Sequence, residues 1–425
     1  MNADATTARG ALHLRLLGAC VVSCLLAAAC SSLPREQAPV ARQQADAVPV
    51  GFNSEVRWRG ETTRSDFRHQ ARKLQEQMAR AANGNPLNLL ALSGGGAGGA
   101  FGAGVLVGWG RQGTRPQFQV VTGVSTGALI APLAFLGADG DRQLEQAFSG
   151  AASKGILQSH WTGALFGVSV FRGEPLRELV DRFVTDELLR SVALEAAKGR
   201  LLLVATTDLD RNSLVIWDMG AIAIRGGAGA HKLFRDVLLA SASVPGVFPP
   251  MLIRVESGGK TYEEMHVDGG TTASLVAAPD IGAVMAHEFP QLRGANMYIL
   301  INGKLGVPEE TASMMTVSIL QRSIGAALRS ITRGNVEVAY AFARRHEMTL
   351  QATAVPIDHP FGGSLDFAPA AMKALFDYGM RCAAQNRVWT DALDVLDAAV
   401  TPSGGIQGSG DSCPVRGGSV VQATR

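Results

Sequence analysis

A serine between two glycines is the first candidate for chemistry in this chain. Ser125 lies in the pattern Gly-x-Ser-x-Gly, whose glycines are Gly123 and Gly127. In this pattern the serine occupies a sharp turn between a strand and a helix, where its hydroxyl is exposed for nucleophilic attack. Side chains at the two flanking positions would collide across so tight a turn. The chain has 49 glycines, so the pattern alone is also compatible with an ordinary small-residue turn.

A glycine-rich loop lies upstream of this serine and is a candidate anion site. It follows a short apolar run at residues 87–92, of the kind that forms a buried strand, and leads into a predicted helix that reaches Trp109. Several backbone N–H groups at the start of a helix attract a negative charge. The glycines of the loop are Gly94, Gly95, Gly96, Gly98 and Gly99.

Three kinds of anion could bind to that loop. A dinucleotide pyrophosphate requires an acidic residue about 20 positions further on, but no Asp or Glu occurs between Gly99 and Asp139. A nucleotide phosphate requires Gly-Lys-Ser/Thr after the loop, and that sequence is missing. The oxyanion of an acyl-transfer intermediate fits best, because the next predicted strand delivers Ser125.

The serine needs a base, and two arrangements are open at this point. One is a Ser–His–Asp triad with the histidine last in the chain, for which His287, His346 and His359 are candidates. The other is a Ser–Asp dyad in which Asp268 takes the proton directly. A carboxylate is a weak base for a hydroxyl, so burial would have to raise its pKa.

Asp268 stands at the end of a predicted strand and is followed by Gly269 and Gly270. Two strands of a predicted hairpin flank residues 258–259, and the second of them delivers this aspartate. An Asp-Gly turn is the structural alternative for Asp268 when it is considered alone. The Gly-Gly turn suits a catalytic carboxylate, because it lets the backbone come close and fix the direction of the side chain.

Other candidate sites are weaker. Asp208 and Asp210 could form a catalytic or metal-binding pair, but they lie at the predicted tip of a second hairpin, where Asp residues are far more often turn formers. No metal site is predicted. Helices are expected at residues 128–137, 175–189, 233–240, 309–345 and 368–399.

Four motifs in this order resemble the patatin-like phospholipase family, and the resemblance spans roughly residues 87–302. They are the glycine loop at 94–99, the serine pattern at 123–127, Ser-x-Pro-x-x-Phe-Pro-Pro at 243–250 and Asp-Gly-Gly at 268–270. The resemblance implies a three-layer α/β/α fold with a central, mostly parallel sheet and the nucleophile on a strand-turn-helix elbow. It also implies a dyad of Ser125 and Asp268.

The same resemblance implies an oxyanion hole formed by the amides around Gly94, Gly95 and Gly96. The expected activity is hydrolysis of lipid acyl esters, with no cofactor. Acyl transfer to another acceptor would use the same residues. The non-enzymatic alternative is a catalytically inactive envelope lipoprotein with a lipid-binding or scaffolding role. The remaining glycines of the motifs are Gly99, Gly123, Gly127, Gly269 and Gly270.

Two positions of the loop depart from the family pattern. The family's loop often opens with Asp and carries a basic residue two positions after its third glycine. This chain has Ser93 and Gly98 at those places. A basic residue there could help to hold an anionic lipid, so its absence leaves the head-group preference open.

The N-terminus is typical of an export signal. An apolar stretch at residues 16–29 is too short to span a bilayer, and small residues precede Cys30 while polar residues follow it. This resembles a bacterial lipoprotein processing site, in which the cysteine becomes the lipidated first residue. Cys20 and Cys24 also fit that pattern, but each would shorten the apolar stretch. The alternative is an ordinary secretory signal with an A-x-A cleavage site.

These features predict an exported bacterial lipoprotein in the outer membrane, facing the periplasm. In such an oxidising compartment Cys382 and Cys413 could pair, or Cys382 could be a free buried thiol. The predicted division is a signal peptide at 1–29, a lipid-anchored flexible linker at 30–60, an N-terminal helix at 61–86, the catalytic domain at 87–400 and a disordered tail at 401–425.

Composition narrows the possible partners. The formal net charge of +2 and the lack of any Lys/Arg cluster give no reason to expect nucleic acid. A hydrophobic fraction of 47% with 18% charged residues is typical of a large buried core. The predicted partners are a lipid or acyl-ester substrate and a membrane that holds the N-terminal anchor. The oligomeric state stays open.

Overall fold

The computed structural model describes residues 35, 37–59, 64–150, 173–277, 290–307, 311, 313–314, 316–398 and 413–415. Three predictions lie outside these residues: the signal peptide at 1–29, the lipidation site Cys30 and the candidate base His287.

In the described part of the chain, eleven strands form one sheet. They are β1 (Val48–Pro49), β2 (Arg57–Arg59), β3 (Asn88–Leu92), β4 (Val120–Val124), β5 (Leu201–Asp208), β6 (Ser213–Asp218), β7 (Met251–Ser257), β8 (Lys260–Asp268), β9 (Asn296–Ile301), β10 (Thr349–Ala354) and β11 (Thr390–Asp391).

The helices lie between these strands and at the ends of the fold. They are α1 (Ala41–Asp46), α2 (Arg64–Ala82), α3 (Gly99–Arg111), α4 (Thr126–Phe135), α5 (Ala138–Phe148), α6 (Glu174–Phe183), α7 (Asp186–Ala197), α8 (Met219–Arg225), α9 (Gly227–Ser241), α10 (Thr316–Arg345), α11 (Pro369–Ala384) and α12 (Ala392–Ala398).

The centre of the sheet is parallel. Strands β5, β4, β3, β9 and β10 are neighbours in that order and run in the same direction. Antiparallel strands complete both sides: β8, β7 and β1 continue from β5, while β11 closes the other edge. Strand β6 also pairs with β5, and β2 pairs with β6.

Both faces of the central parallel strands are buried, which explains why β3 and β4 are mostly apolar. In β3, Leu90 and Leu92 enter one hydrophobic core, whereas Leu89 and Ala91 enter a second core on the opposite face. Helices α3, α4, α9 and α11 contribute to the first core, and α2, α10 and α12 contribute to the second. The fold is therefore the three-layer α/β/α architecture that the resemblance implied.

Both predicted hairpins are present. Strand β5 continues through a turn into the antiparallel strand β6, and β7 pairs with β8 along its whole length. At the first turn, the Asp208 carboxylate accepts the amide N–H of Asp210 at 2.9 Å. Asp208 thus acts as the turn former that the sequence indicated.

The flexible linker predicted at residues 30–60 is wrong for residues 37–59. Strand β1 pairs with β7, and β2 pairs with β6, so this segment adds two edge strands to the sheet. The Arg57 guanidinium, which is buried, also binds Glu264 at 2.5 Å and the Ala47 carbonyl at 2.8 Å. The Ala/Gln/Pro-rich composition suggested a tether, because composition alone carries no information about pairing with strands far along the chain.

A disulfide joins Cys382 in α11 to Cys413, with an S–S distance of 2.04 Å. The amide of Val415 also donates to the Arg387 carbonyl at 3.0 Å. Of the two alternatives for these cysteines, the structure therefore has the pair, and the prediction of a disordered tail at 401–425 is wrong at residues 413–415. Among the described helices, none combines the length and apolarity that crossing a membrane requires.

Candidate active site

Ser125 occupies a turn of one residue between β4 and α4. Its φ of 55° and ψ of −124° lie in a region that a serine adopts only when its surroundings hold it there. The amide N–H of Ser125 donates to the Ser241 hydroxyl at 2.9 Å, and that hydroxyl donates to the Ala205 carbonyl at 2.7 Å. Helix α9 and strand β5 thus hold the nucleophile elbow that the sequence pattern predicted.

The two glycines of the elbow are required by close backbone contacts. A Cβ atom on Gly123 would lie 2.5 Å from the Gly127 carbonyl oxygen. A Cβ atom on Gly127 would lie 2.4 Å from the Leu92 carbonyl oxygen. Both distances are far inside van der Waals contact, so any side chain here would push β4, α4 and β3 apart.

Asp268 is the last residue of β8 and is only 4% exposed. One of its carboxylate oxygens accepts the amide N–H of Gly270 at 2.7 Å. Its own amide donates to the Ser243 carbonyl at 2.9 Å, and its carbonyl accepts the Thr207 hydroxyl at 3.0 Å. The Ser-x-Pro motif and the Gly-Gly turn therefore both fix this aspartate.

Strand pairing along β5 brings Ser125 and Asp268 together. Ala205 of β5 pairs with Val124, and the next residue, Thr206, pairs with Asp268. Strand β6 occupies the other edge of β5 at these positions, so β4 and β8 share one edge. Because β4 is parallel and β8 antiparallel to β5, their C-terminal ends meet there, which brings the Ser125 side chain close to the Asp268 carboxylate.

Burial changes the acid–base behaviour of Asp268. Loss of solvent raises the pKa of its carboxyl to about 7, although hydrogen bonds from Ser125 and the Gly270 amide favour the charged form. An ordinary aspartate has a pKa of about 3.9. The burial that the dyad requires is therefore present at this strand end.

The glycine loop runs beside the serine. A Cβ atom on Gly94 would lie 3.2 Å from the Cβ atom of Ser125. The Gly94 amide, however, donates to the Ser274 carbonyl at 3.0 Å, so the prediction that this amide serves the oxyanion hole is wrong. Among the described residues, the amides of Gly95 and Gly96 have no such acceptor, and both stay candidate oxyanion donors.

A protein-family model matches the region that contains these residues. Residues 90–280 match the family model described as patatin-like phospholipase. This segment resembles a patatin-like domain. It contains the glycine loop, the elbow, the Ser-x-Pro motif and Asp268, and the match supports lipid acyl hydrolysis as the general class of reaction.

Other comparisons add little to this. The chain is similar to the crystal structure of VipD from Legionella pneumophila, at 12% identity over 72% of this chain and 68% of that one. The TM-score of 0.31 is too low to support any statement about activity. No curated protein sequence matches the chain.

Two of the three candidate histidine bases, His346 and His359, lie within the described residues but outside residues 90–280. The His346 ring contacts Phe342 at the end of α10, and the His359 ring packs against Tyr378 in α11. Among the described residues, the hydrogen-bond partners of Ser125 and Asp268 include no histidine. The two described candidate histidines thus pack against aromatic rings elsewhere, and the Ser–Asp dyad stays a prediction.

A buried network that no sequence motif indicated lies next to Asp268. Asp208, Glu264 and His266 each place one ligand atom within 4.8 Å of the others, as in a metal site. Arg57 and Arg59, however, bind the Glu264 carboxylate at 2.5 and 2.6 Å. Two guanidinium groups repel a divalent cation, so this cluster fits a buried ion-pair network better than a metal centre.

The charges and hydrogen bonds of the network agree with that interpretation. Burial alone would raise the pKa of Glu264, but Arg57 and His266 outweigh it and hold this pKa well below its ordinary value. The Thr206 hydroxyl accepts the Trp217 indole N–H at 2.8 Å and lies 3.0 Å from the His266 Nδ1 atom. The sequence pattern that could have indicated this network is the alternation of Glu264, His266 and Asp268, which places the three residues on one face of β8.

The raised pKa of Asp268 predicts that Asp268→Asn stabilises the fold at neutral pH. The folded protein holds a proton that the unfolded chain releases near pH 4, so wild-type stability falls as pH rises to about 7 and then levels off. We expect the variant to gain up to about 4 kcal/mol relative to wild type between pH 4 and 8. Urea unfolding across this pH range measures the difference.

Asp377→Asn is the matched control, because Asp377 is partly exposed on α11 and, among the described residues, forms an ion pair with Lys373 alone. Its effect should stay within about 1 kcal/mol at every pH, as for other surface ion pairs. A pH-independent difference between Asp268→Asn and wild type would show that Asp268 is not held protonated by burial.

Proposed function

We propose that the chain is a serine acyl hydrolase acting on lipid esters, with Ser125 as nucleophile and Asp268 as its base. The observation that carries this proposal is the meeting of β4 and β8 on one edge of β5, which places a strained serine against a buried carboxylate. The family match over residues 90–280 supports the same class of reaction.

In the first half of the proposed reaction, Asp268 accepts the Ser125 proton while Oγ attacks the acyl carbonyl carbon. The carbonyl oxygen becomes negatively charged, and the amides of Gly95 and Gly96 donate to it. Collapse of this intermediate breaks the ester bond, and the leaving alcohol takes the proton from Asp268. The product is an acyl group bonded to Ser125.

In the second half, Asp268 accepts a proton from water, which attacks the acyl-serine carbonyl. The same two amides stabilise the second oxyanion, and Ser125 leaves with the proton that Asp268 returns. The fatty acid is released and the dyad is restored. One carboxyl thus serves as base and acid in turn, which requires a pKa close to the working pH.

We also propose that the mature chain is attached to the periplasmic face of the bacterial outer membrane through a lipidated Cys30. The small residues before Cys30 and the polar ones after it support this anchor. The Cys382–Cys413 disulfide is consistent with an oxidising compartment outside the cytoplasm. Such an anchor would keep the domain close to lipid substrates.

Labelling with a fluorophosphonate probe tests the nucleophile. The probe should react once per wild-type chain, and Ser125→Ala should abolish labelling because the activated hydroxyl is gone. Ser257→Ala, at the end of β7, is the matched control and should label like wild type. Labelling that persists in folded Ser125→Ala, or is absent from folded wild type, would contradict the proposal.

The pH dependence of turnover tests the base. Because Asp268 acts in its charged form and burial raises its pKa to about 7, kcat/KM for a soluble ester should rise with pH and level off above about 7. Below that pH the rate should fall about tenfold per unit. A flat profile between pH 5 and 8 would exclude Asp268 as the base.

A further inference from the structure

We propose that Asn302 and Ser93 form a positioning pair for the oxyanion hole. This pair fixes the glycine loop where the Gly95 and Gly96 amides can reach the oxyanion. This inference rests on the proposed function for its catalytic meaning. The contacts that carry it stand on their own.

The pair lies where two parallel strands end side by side. Strand β3 pairs with β9, with Leu92 opposite Leu300, and Ser93 and Asn302 follow these strands. Both residues are buried, with Asn302 0% and Ser93 1% exposed. They stand at the point where β3 gives way to the glycine loop.

Asn302 binds Ser93 twice. Its amide N–H donates to the Ser93 hydroxyl at 2.9 Å, and its side-chain Nδ2 donates to the Ser93 carbonyl at 2.6 Å. The Ser93 hydroxyl in turn donates to the Gly94 carbonyl at 2.7 Å. The amide of Ser93 donates to the Leu300 carbonyl at 3.0 Å, so each of its polar groups is bonded.

The Asn302 backbone also packs directly against the glycine loop. A Cβ atom on Gly95 would lie 1.8 Å from the Asn302 carbonyl oxygen, and one on Gly98 would lie 2.0 Å from the same atom. The loop therefore rests directly on this residue. The contact gives a physical reason why Gly98 stands where a basic residue is often found, since any side chain would lift the loop from Asn302.

One atom of Asn302 makes the residue a poor choice for stability alone. Its Oδ1 is buried and has no hydrogen-bond partner among the described residues. A buried acceptor without a partner costs about 1 to 3 kcal/mol. The same side chain supplies the Nδ2 bond to Ser93, and we infer that this positioning outweighs the loss.

The expected effect of Asn302→Ala is a fall in kcat with little change in KM. Oxyanion donors act on the transition state more than on the bound ester, so a displaced loop reduces the chemical step. Losing a whole donor costs about 100- to 1000-fold in kcat. Displacing the loop while both amides remain should cost less, about 10- to 100-fold.

Asn296→Ala is the matched control. Asn296 lies at the other end of β9, and its Nδ2 donates to Asn88 in β3 at 3.0 Å, so it joins the same two strands away from the loop. Both variants should be assayed well below their unfolding temperatures. Turnover of a soluble ester should fall only in Asn302→Ala.

Amide hydrogen exchange gives a readout that does not depend on turnover. Exchange in the peptide that covers residues 93–101 should be faster in Asn302→Ala than in wild type and Asn296→Ala. If wild type neither turns over ester nor reacts with a fluorophosphonate, the proposed function fails, yet exchange still tests the pair. Equal exchange in the two variants, or kcat values within about twofold, would overturn the positioning role.

A double-mutant cycle tests whether the two residues act together. If Ser93 and Asn302 hold the loop as a unit, Ser93→Ala should add little to the loss of kcat in Asn302→Ala. Independent, multiplying losses would contradict a shared role.

Discussion

The proposed active site depends on one constraint, the division of a single edge of β5 between two strands. Strand β4 pairs along this edge up to Ala205, and β8 takes over at Thr206 from the opposite direction. The ends of both strands are thereby fixed to adjacent residues. Ser125, the proposed nucleophile, follows one end, and the Asp268 carboxylate closes the other, so backbone hydrogen bonds rather than side-chain packing set the distance between them.

The site holds a strained backbone and a buried acid that a protein selected for stability alone would avoid. Ser125 has a positive φ, and burial of Asp268 opposes its charged form. Hydrogen bonds hold both residues: the Ser241 hydroxyl accepts the Ser125 amide, while the Ser243 carbonyl and the Gly270 amide bind Asp268. The large hydrophobic cores on the two faces of the sheet offset the free-energy cost of such a site.

The sequence predicted best what depends on neighbouring residues. The elbow at Ser125, the strand end at Asp268 and both hairpins follow from local turn chemistry and short apolar runs. It failed where partners come from distant parts of the chain. The Gly94 amide is taken by the Ser274 carbonyl, and the segment read as a linker pairs with β6 and β7. No local pattern reports such contacts.

The most direct test of the dyad and its oxyanion hole is an experimental structure of the chain after reaction with a phosphonate ester. We expect phosphorus to be bonded to the Ser125 Oγ atom, with the phosphonyl oxygen about 2.7 to 3.1 Å from the amides of Gly95 and Gly96. The Asp268 carboxyl should remain beside Oγ. An adduct on another residue, or a phosphonyl oxygen bound by donors outside the glycine loop, would contradict the account.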